Sequence, residues 1–210
     1  VDEKALSYGE IKALATGNPD ILEKTELDTT VAKLKLLKQN FMGEIYDLQD
    51  RIAKHYPKEI KRLEDKITAI KKDVENLKKN TKLNNENFSP MIINGITYNE
   101  KAKAGQAILD ICANKKNADL EHIGNYRGFN LELEYYSGNK EFVIIIKNEY
   151  QYYTALGSDV YGNIQRIDNC LDKIAEELAP TKSQLENEKI QLKNAEIEVQ
   201  KEFPQELELQ

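Results

Sequence analysis

Apolar residues recur at steps of three and four along the first third of the chain: Leu27, Val31, Leu34, Leu37, Phe41, Ile45, Leu48, Ile52, Tyr56, Ile60, Leu63, Ile67, Ile70, Val74 and Leu77. Such steps hold one stripe on one side of an α-helix. The stripe is narrow, as in a coiled-coil seam. A second stripe runs through Ile164, Ile167, Leu171, Ile174, Leu178, Thr181, Leu185, Glu188, Leu192, Ala195 and Val199, weakened at Thr181, Glu188 and Ala195. Neither helix can bury its stripe alone, so the pattern predicts antiparallel pairing within the chain over roughly 70–80 Å at 1.5 Å per residue. Pro57 and Pro180 each remove a helical hydrogen bond. Counted from the segment between the arms, they lie about two turns apart, which predicts a shared kink zone.

Between the arms the period changes to two. Met91-Ile92-Ile93-Asn94-Gly95-Ile96-Thr97-Tyr98 predicts a hairpin, because Asn-Gly suits a type I′ turn. Asn99 can cap a helix running to Lys115, with Ala104, Ile108 and Ile111 inward. Gly128 to Tyr136 alternates, with Phe129, Leu131, Leu133 and Tyr135 on one face, and Ser137-Gly138-Asn139 turns the chain. Glu141 to Lys147 is nearly all apolar, as expected of a central strand buried on both faces. Tyr150 to Leu156 forms the next strand after Asn148-Glu149. The expected fold is therefore α+β: a long antiparallel two-helix coiled coil with a small ββαβββ, mostly antiparallel, head inserted at its tip. The divisions are 1–26, a short helix (Ser7 to Ala15) and the loop Thr16 to Pro19; 27–82, the first arm; 83–160, the head; and 161–210, the second arm.

Charge sharpens this picture. The 210 residues carry a net −6, and 31% of them are charged; mean hydropathy is −0.65, a polarity usual for long exposed helices. Residues 27–82 hold 14 Lys/Arg against 9 Asp/Glu, a net of +5, whereas residues 163–210 hold 6 against 11, a net of −5. Opposite signs favour pairing of the arms, although each exposed pair contributes only ~0.2–1 kcal/mol. No apolar run approaches the ~18 residues of a membrane span, and no signal-like segment opens the chain. The start at Val1 points to processing or excision, with excision favoured. Cys112 and Cys170 fit as buried apolar residues rather than a disulfide, and with two histidines they make no convincing zinc site. A cytosolic compartment without a membrane partner is expected.

Catalytic signatures are missing: there is no GxxxxGK[ST] loop, no GxGxxG, no nucleophile elbow, no HExxH and no CxxC. His55 lies on an arm beside Pro57, and His122 in a loop before Ile123. Neither stands out as a catalytic base, so the fragment is not expected to be an enzyme.

Three stretches, "IKALATGNP" (11–19), "IGNYRGFNLEL" (123–133) and "GNIQRIDN" (162–169), together with the ending "FPQELEL" (203–209), carry a resemblance. In this order and spacing the chain resembles the region that follows the helicase lobes in large mobile-element polypeptides. These fuse an adenine-specific DNA methyltransferase to a Swi/Snf-type superfamily 2 helicase. The resemblance implies a non-catalytic accessory part of a cytoplasmic, nucleoid-associated bacterial protein, with the helicase lobes of its parent chain as partner and a head that contacts DNA or a neighbouring domain. It implies no cofactor in the fragment, with ATP and S-adenosylmethionine expected only for the parent. It also draws emphasis to Gly124, Tyr126, Arg127, Gly128 and Phe129 in one motif and to Gly162, Asn163, Ile164 and Arg166 in the other.

Two readings of those motifs stay open. In one, Arg127, Arg166 and the amides of a helix start, with Gly128, Gly162 and Asn163, form an anion site for a DNA phosphate, and Tyr126 stacks on a base. In the other, Arg166 pairs within the head, Tyr126 packs and the glycines permit tight turns. The helix starts at Ser158 or Asp159, which places Gly162 in its first turns near the "NYRGF" segment, or else at Asn163. Lys58, Lys61, Arg62, Lys66, Lys71, Lys72, Lys78, Lys79 and Lys82 make the first arm basic near the head, and Lys71, Lys72, Lys78 and Lys79 are candidate phosphate contacts. The favoured expectation is a monomeric spacer arm with a DNA- or domain-contacting head. The alternative is a coiled-coil assembly module that binds protein without touching DNA.

Overall fold

The computed structural model describes residues 11–12, 15–17, 19–85, 87–115 and 119–209. The chain is α+β. Helix α1 (Pro19–Asp50) passes through a π-helical turn (Arg51–His55) into α2 (Tyr56–Asn80). Strands β1 (Met91–Ile93) and β2 (Ile96–Tyr98) precede α3 (Lys101–Asn114). Strands β3 (Glu121–Tyr126), β4 (Phe129–Tyr136), β5 (Glu141–Lys147) and β6 (Gln151–Ala155) follow. Helix α4 (Val160–Asp172), a 3-10 turn (Ile174–Glu177), α5 (Leu178–Glu198) and a last 3-10 turn (Glu206–Leu209) complete the order. By internal contacts the chain divides into one unit of residues 1–59 with 188–210 and another of residues 60–187.

The helix of the first arm starts at Pro19 rather than near residue 27, and the described residues 11–12 and 15–16 before it are also helical. Proline is well suited to a first helical position, where its missing N–H is no loss. Of the short helix expected over Ser7 to Ala15, residues 7–10, 13 and 14 lie outside the described residues, as does Asn18 of the following loop. The prolines rewind their helices rather than break them. A π turn ends two residues before Pro57, widening the helix where the proline ring would crowd the carbonyl four residues back. Pro180 sits in the first turn of α5, directly after a 3-10 turn, where the lost donor has no intrahelical partner.

In the unit of residues 1–59 and 188–210, Leu34, Ile45, Ala195 and Phe203 are buried. Phe41 meets Phe203 with ring centroids 5.7 Å apart, and Lys38 pairs with Glu206 at 2.6 Å. Arg51 donates to the Tyr56 hydroxyl at 2.9 Å and lies over that ring.

In the unit of residues 60–187, a six-stranded, wholly antiparallel sheet has the order β2-β1-β3-β4-β5-β6. The expected ββαβββ head thus has one more strand. The overlooked one is β3, whose Gly124 and Asn125 interrupt the apolar alternation and lower its β-propensity. The glycine is required there: a Cβ would stand 1.8 Å from the Ile92 carbonyl oxygen, and the register shifts between His122 and Gly124. His122 therefore lies in a strand, not a loop. Strand β5 is second from the edge rather than central. Its Ile144 and Ile146 face the core, while Ile145 is buried on the other face between its register neighbours Glu132 and Tyr153.

One face of the sheet forms the core with Ile70 of α2, Ala104 and Ile108 of α3, and Ile164, Ile167 and Leu171 of α4. A smaller cluster joins Leu63 and Ile67 to Leu185, and Leu178 packs against both clusters. Asn94 and Gly95 take φ of 48° and 78°, the left-handed pair that a type I′ turn requires. The cap of α3 is Glu100, not Asn99, and it makes no side-chain cap hydrogen bond. Helices α3 and α4 cross at Gly105, where a Cβ would lie 2.3 Å from the Val160 carbonyl oxygen.

Candidate functional site

The motif around Tyr126 is a hairpin turn between β3 and β4. Arg127 and Gly128 hold φ of 50° and 83°. That geometry drives both neighbouring side chains inward. The Tyr126 ring is 1% exposed and stacks on Phe88 at 5.5 Å, and its hydroxyl donates to Asp168 Oδ1 at 2.8 Å. Burial, and then the adjacent Asp168 carboxylate, push this hydroxyl far above the usual phenol range. Stacking of Tyr126 on a nucleic-acid base is therefore ruled out in this conformation.

Arg127 is likewise committed. Its side chain is 8% exposed and reaches Asp172 at 2.8 Å and Asp168 at 3.4 Å, and its Nε donates to Thr81 Oγ1 at 3.0 Å. The guanidinium thereby joins the end of α2, the hairpin turn and α4. An incoming phosphate would have to displace two carboxylates. Burial raises the Asp168 carboxyl above its ordinary value, with the Tyr126 hydrogen bond and the Arg127 charge acting in the opposite direction. Gly128 sits where a Cβ would come within 2.7 Å of Asn80 Nδ2, and Asn76 Nδ2 donates to its carbonyl oxygen at 2.8 Å.

The second motif opens α4. Asp159 is the N-cap, and its carboxylate accepts from the Gly162 amide. The earlier of the two helix starts is thus the observed one, and the cap carboxylate occupies the position an anion would take. The close neighbour of Gly162 is this same carboxylate, which a Cβ on Gly162 would meet at 2.7 Å, not the "NYRGF" segment. Asn163 is fully buried. Its Oδ1 accepts from Gly157 N at 2.7 Å and Arg166 Nη1 at 3.0 Å, and its Nδ2 donates to the Gly157 carbonyl at 2.9 Å. Arg166 is exposed at its surface but bound to Asn163 and folded over Gly157. The two motifs do meet, through Asp168, which belongs to "GNIQRIDN" and holds Tyr126 and Arg127. Its place on the Ile164–Leu171 stripe was the signal that a carboxylate would be buried there.

A second buried carboxylate lies on the inner face of α2. Asp73 is 0% exposed. It accepts from Asn148 Nδ2 at 2.8 Å, Glu149 N at 3.0 Å, Tyr150 N at 3.0 Å and the Tyr152 hydroxyl at 2.9 Å. One side chain thus clamps the β5–β6 turn onto the helix. The signal in the sequence was again a carboxylate amid an apolar stripe, beside Ile70, Val74 and Leu77.

The outer face of α2 is different. Lys71, Lys72, Lys78 and Lys79 are exposed. Lys72 pairs with Glu149 at 3.1 Å, while Lys66 reaches Glu177 at 3.3 Å and lies over the Tyr150 ring. Lys71, Lys78 and Lys79 make no ion pair among the described residues.

A cleft of about 400 Å³ between the β1–β2 hairpin and α3 contains none of the motif residues. Both cysteines are free, and burial raises the Cys112 thiol to about 11. Among the described residues no group of three or more His, Cys, Asp or Glu side chains could hold a metal ion, and no helix is long and apolar enough to cross a membrane. Comparison of the chain with protein-family models, curated proteins and solved structures gives no match.

Proposed function

We propose that this chain is a non-catalytic accessory module of a DNA helicase and adenine-specific DNA methyltransferase, in which a long antiparallel coiled coil carries the sheet head and the outer face of α2 contacts DNA. The coiled-coil part is supported by one observation, the packing of Leu63 and Ile67 with Leu185. Burial of the weak seam positions Thr181 and Ala195 agrees with it.

The single observation that carries the DNA contact is the row of exposed lysines, Lys71, Lys78 and Lys79, left without carboxylate partners while their neighbours Lys66 and Lys72 are paired. The motif residues serve a different purpose in this reading. The carboxylates of Asp73 and Asp168 fix α2 against the head, so the lysine row and the sheet move as one piece. The parent's ATP and S-adenosylmethionine bind elsewhere, and this chain needs neither. Fluorescence anisotropy with labelled duplex DNA tests the proposal. Binding is expected to weaken with salt at a log–log slope of about −3, set by three phosphate contacts. Reversing Lys71, Lys78 and Lys79 to Glu is expected to weaken binding more than tenfold and flatten that slope. Unchanged affinity in the triple variant would reject the lysine row as the contact.

A further inference from the structure

Helix α1 has a second face that its own unit leaves bare. Ala32, Leu36, Gln39, Gly43 and Tyr46 follow at steps of four and three, on the side away from the buried Leu34 and Ile45. All five are exposed, with Leu36 at 58% and Tyr46 at 63%. Gly43 is the unusual member. It lies in mid-helix with a negative φ, and a Cβ there would meet nothing within 4 Å, so neither a turn nor a close packing contact within the chain calls for it. A glycine at such a position costs about 1 kcal/mol of helix stability relative to alanine.

We infer that this face is a dimerisation surface on which α1 of a second copy packs antiparallel about a two-fold axis through Gln39. Two independent properties of the sequence select that occupant. The first is size. In this register the large Leu36 falls over Gly43 of the second copy, and the large Tyr46 falls beside Ala32 of the second copy. Each bulky side chain thus meets a small one, which lets the helix axes approach closely. The second is charge. Lys33 lies on one flank of the stripe, and Glu44 and Asp47 lie on the same flank further along. All three are exposed and without an ion pair among the described residues. Antiparallel helices bring like flanks together, so Lys33 of each copy faces Glu44 and Asp47 of the other. The two-fold axis repeats every contact, as an isologous interface requires.

Residues 32–46 extend over about 21 Å of helix. One such helix pair buries less than the roughly 1,200 Å² of a standard interface, so the dimer is weak, half-formed at tens to hundreds of micromolar. The surface lies in the other unit from Lys71, Lys78 and Lys79 and does not depend on the DNA contact proposed above. It replaces the monomer expected from the sequence with a concentration-dependent equilibrium.

Sedimentation equilibrium of the full chain between about 5 and 500 μM tests the inference. The expected result is a reversible dimer. Gly43→Gln is expected to weaken it at least tenfold while raising the thermal midpoint, because glutamine favours an exposed helix and clashes only across the interface. That pairing of effects separates lost association from misfolding. Gln39→Cys is expected to give a covalent dimer under mild oxidation, whereas Leu36→Cys, displaced from the axis, is not. A chain that stays monomeric throughout the range overturns the proposal. So does a Gly43→Gln variant that dimerises like the wild type, or a Gln39→Cys variant that does not cross-link.

Discussion

Replacing Asp73 by alanine removes the acceptor for four donors at once: the amides of Glu149 and Tyr150, the Asn148 side chain and the Tyr152 hydroxyl. Asn148 is exposed and can turn to water. Tyr152 is 4% exposed and cannot do so without moving. A buried donor left without a partner costs about 1–3 kcal/mol, and bonds to a charged acceptor contribute about 1.5–3 kcal/mol each. The losses are not additive, because the turn relaxes once its anchor is gone. A net loss of about 3–5 kcal/mol is expected, in line with removing one partner from other buried charged networks. At about 2–4 °C per kcal/mol, the thermal midpoint should fall by roughly 10 °C. Asp73→Asn keeps the shape but turns an N–H₂ toward the Tyr150 amide, so it should fall between wild type and alanine. Urea unfolding followed by circular dichroism gives the magnitude, and hydrogen exchange at Glu149 and Tyr150 localises it. A loss below about 1 kcal/mol for Asp73→Ala, with protection of those amides intact, would refute the assignment of Asp73 as the clamp.

Asp168 supplies a pH test: its folded carboxyl is raised above 3.8 by burial, so its contribution is fully present below the unfolded value and is lost as pH rises through the folded one. The stability of wild type relative to Asp168→Asn should therefore decline on going from acid to neutral pH, and a difference independent of pH would contradict the assigned environment. Gly105→Ala should destabilise the chain by about 1–3 kcal/mol, since the new methyl meets the Val160 backbone. Gly162→Ala should cost less, because the atom it meets is the mobile carboxylate of Asp159 and alanine favours the helix; thermal melts of the two variants side by side rank them.

The helices, the Asn94-Gly95 hairpin and most strands were legible because their signals are local. A repeat of three and four residues, or of two, follows from the geometry of a single element, and Asn-Gly needs only its own backbone angles. Strand β3 escaped because the reason for Gly124 lies on a different strand, in the Ile92 carbonyl that leaves no room for a side chain. The prolines gave their positions but not their effect, because a neighbouring π or 3-10 turn absorbed each of them.

By itself, then, the sequence determined an α+β chain with two helical stretches of opposite charge flanking a small sheet. Side-chain periodicity and charge are properties of the chain before it folds. Only the tertiary structure decided what the polar motif residues do. Tyr126 and Arg127 could have faced a ligand or the interior, and Asp168, distant in sequence, drew both inward. Asp73 and Asp168 sit at helix positions whose stripes announced burial but not partners. A buried carboxylate is tolerated only where folding brings donors to it, and those donors come from turns dozens of residues away.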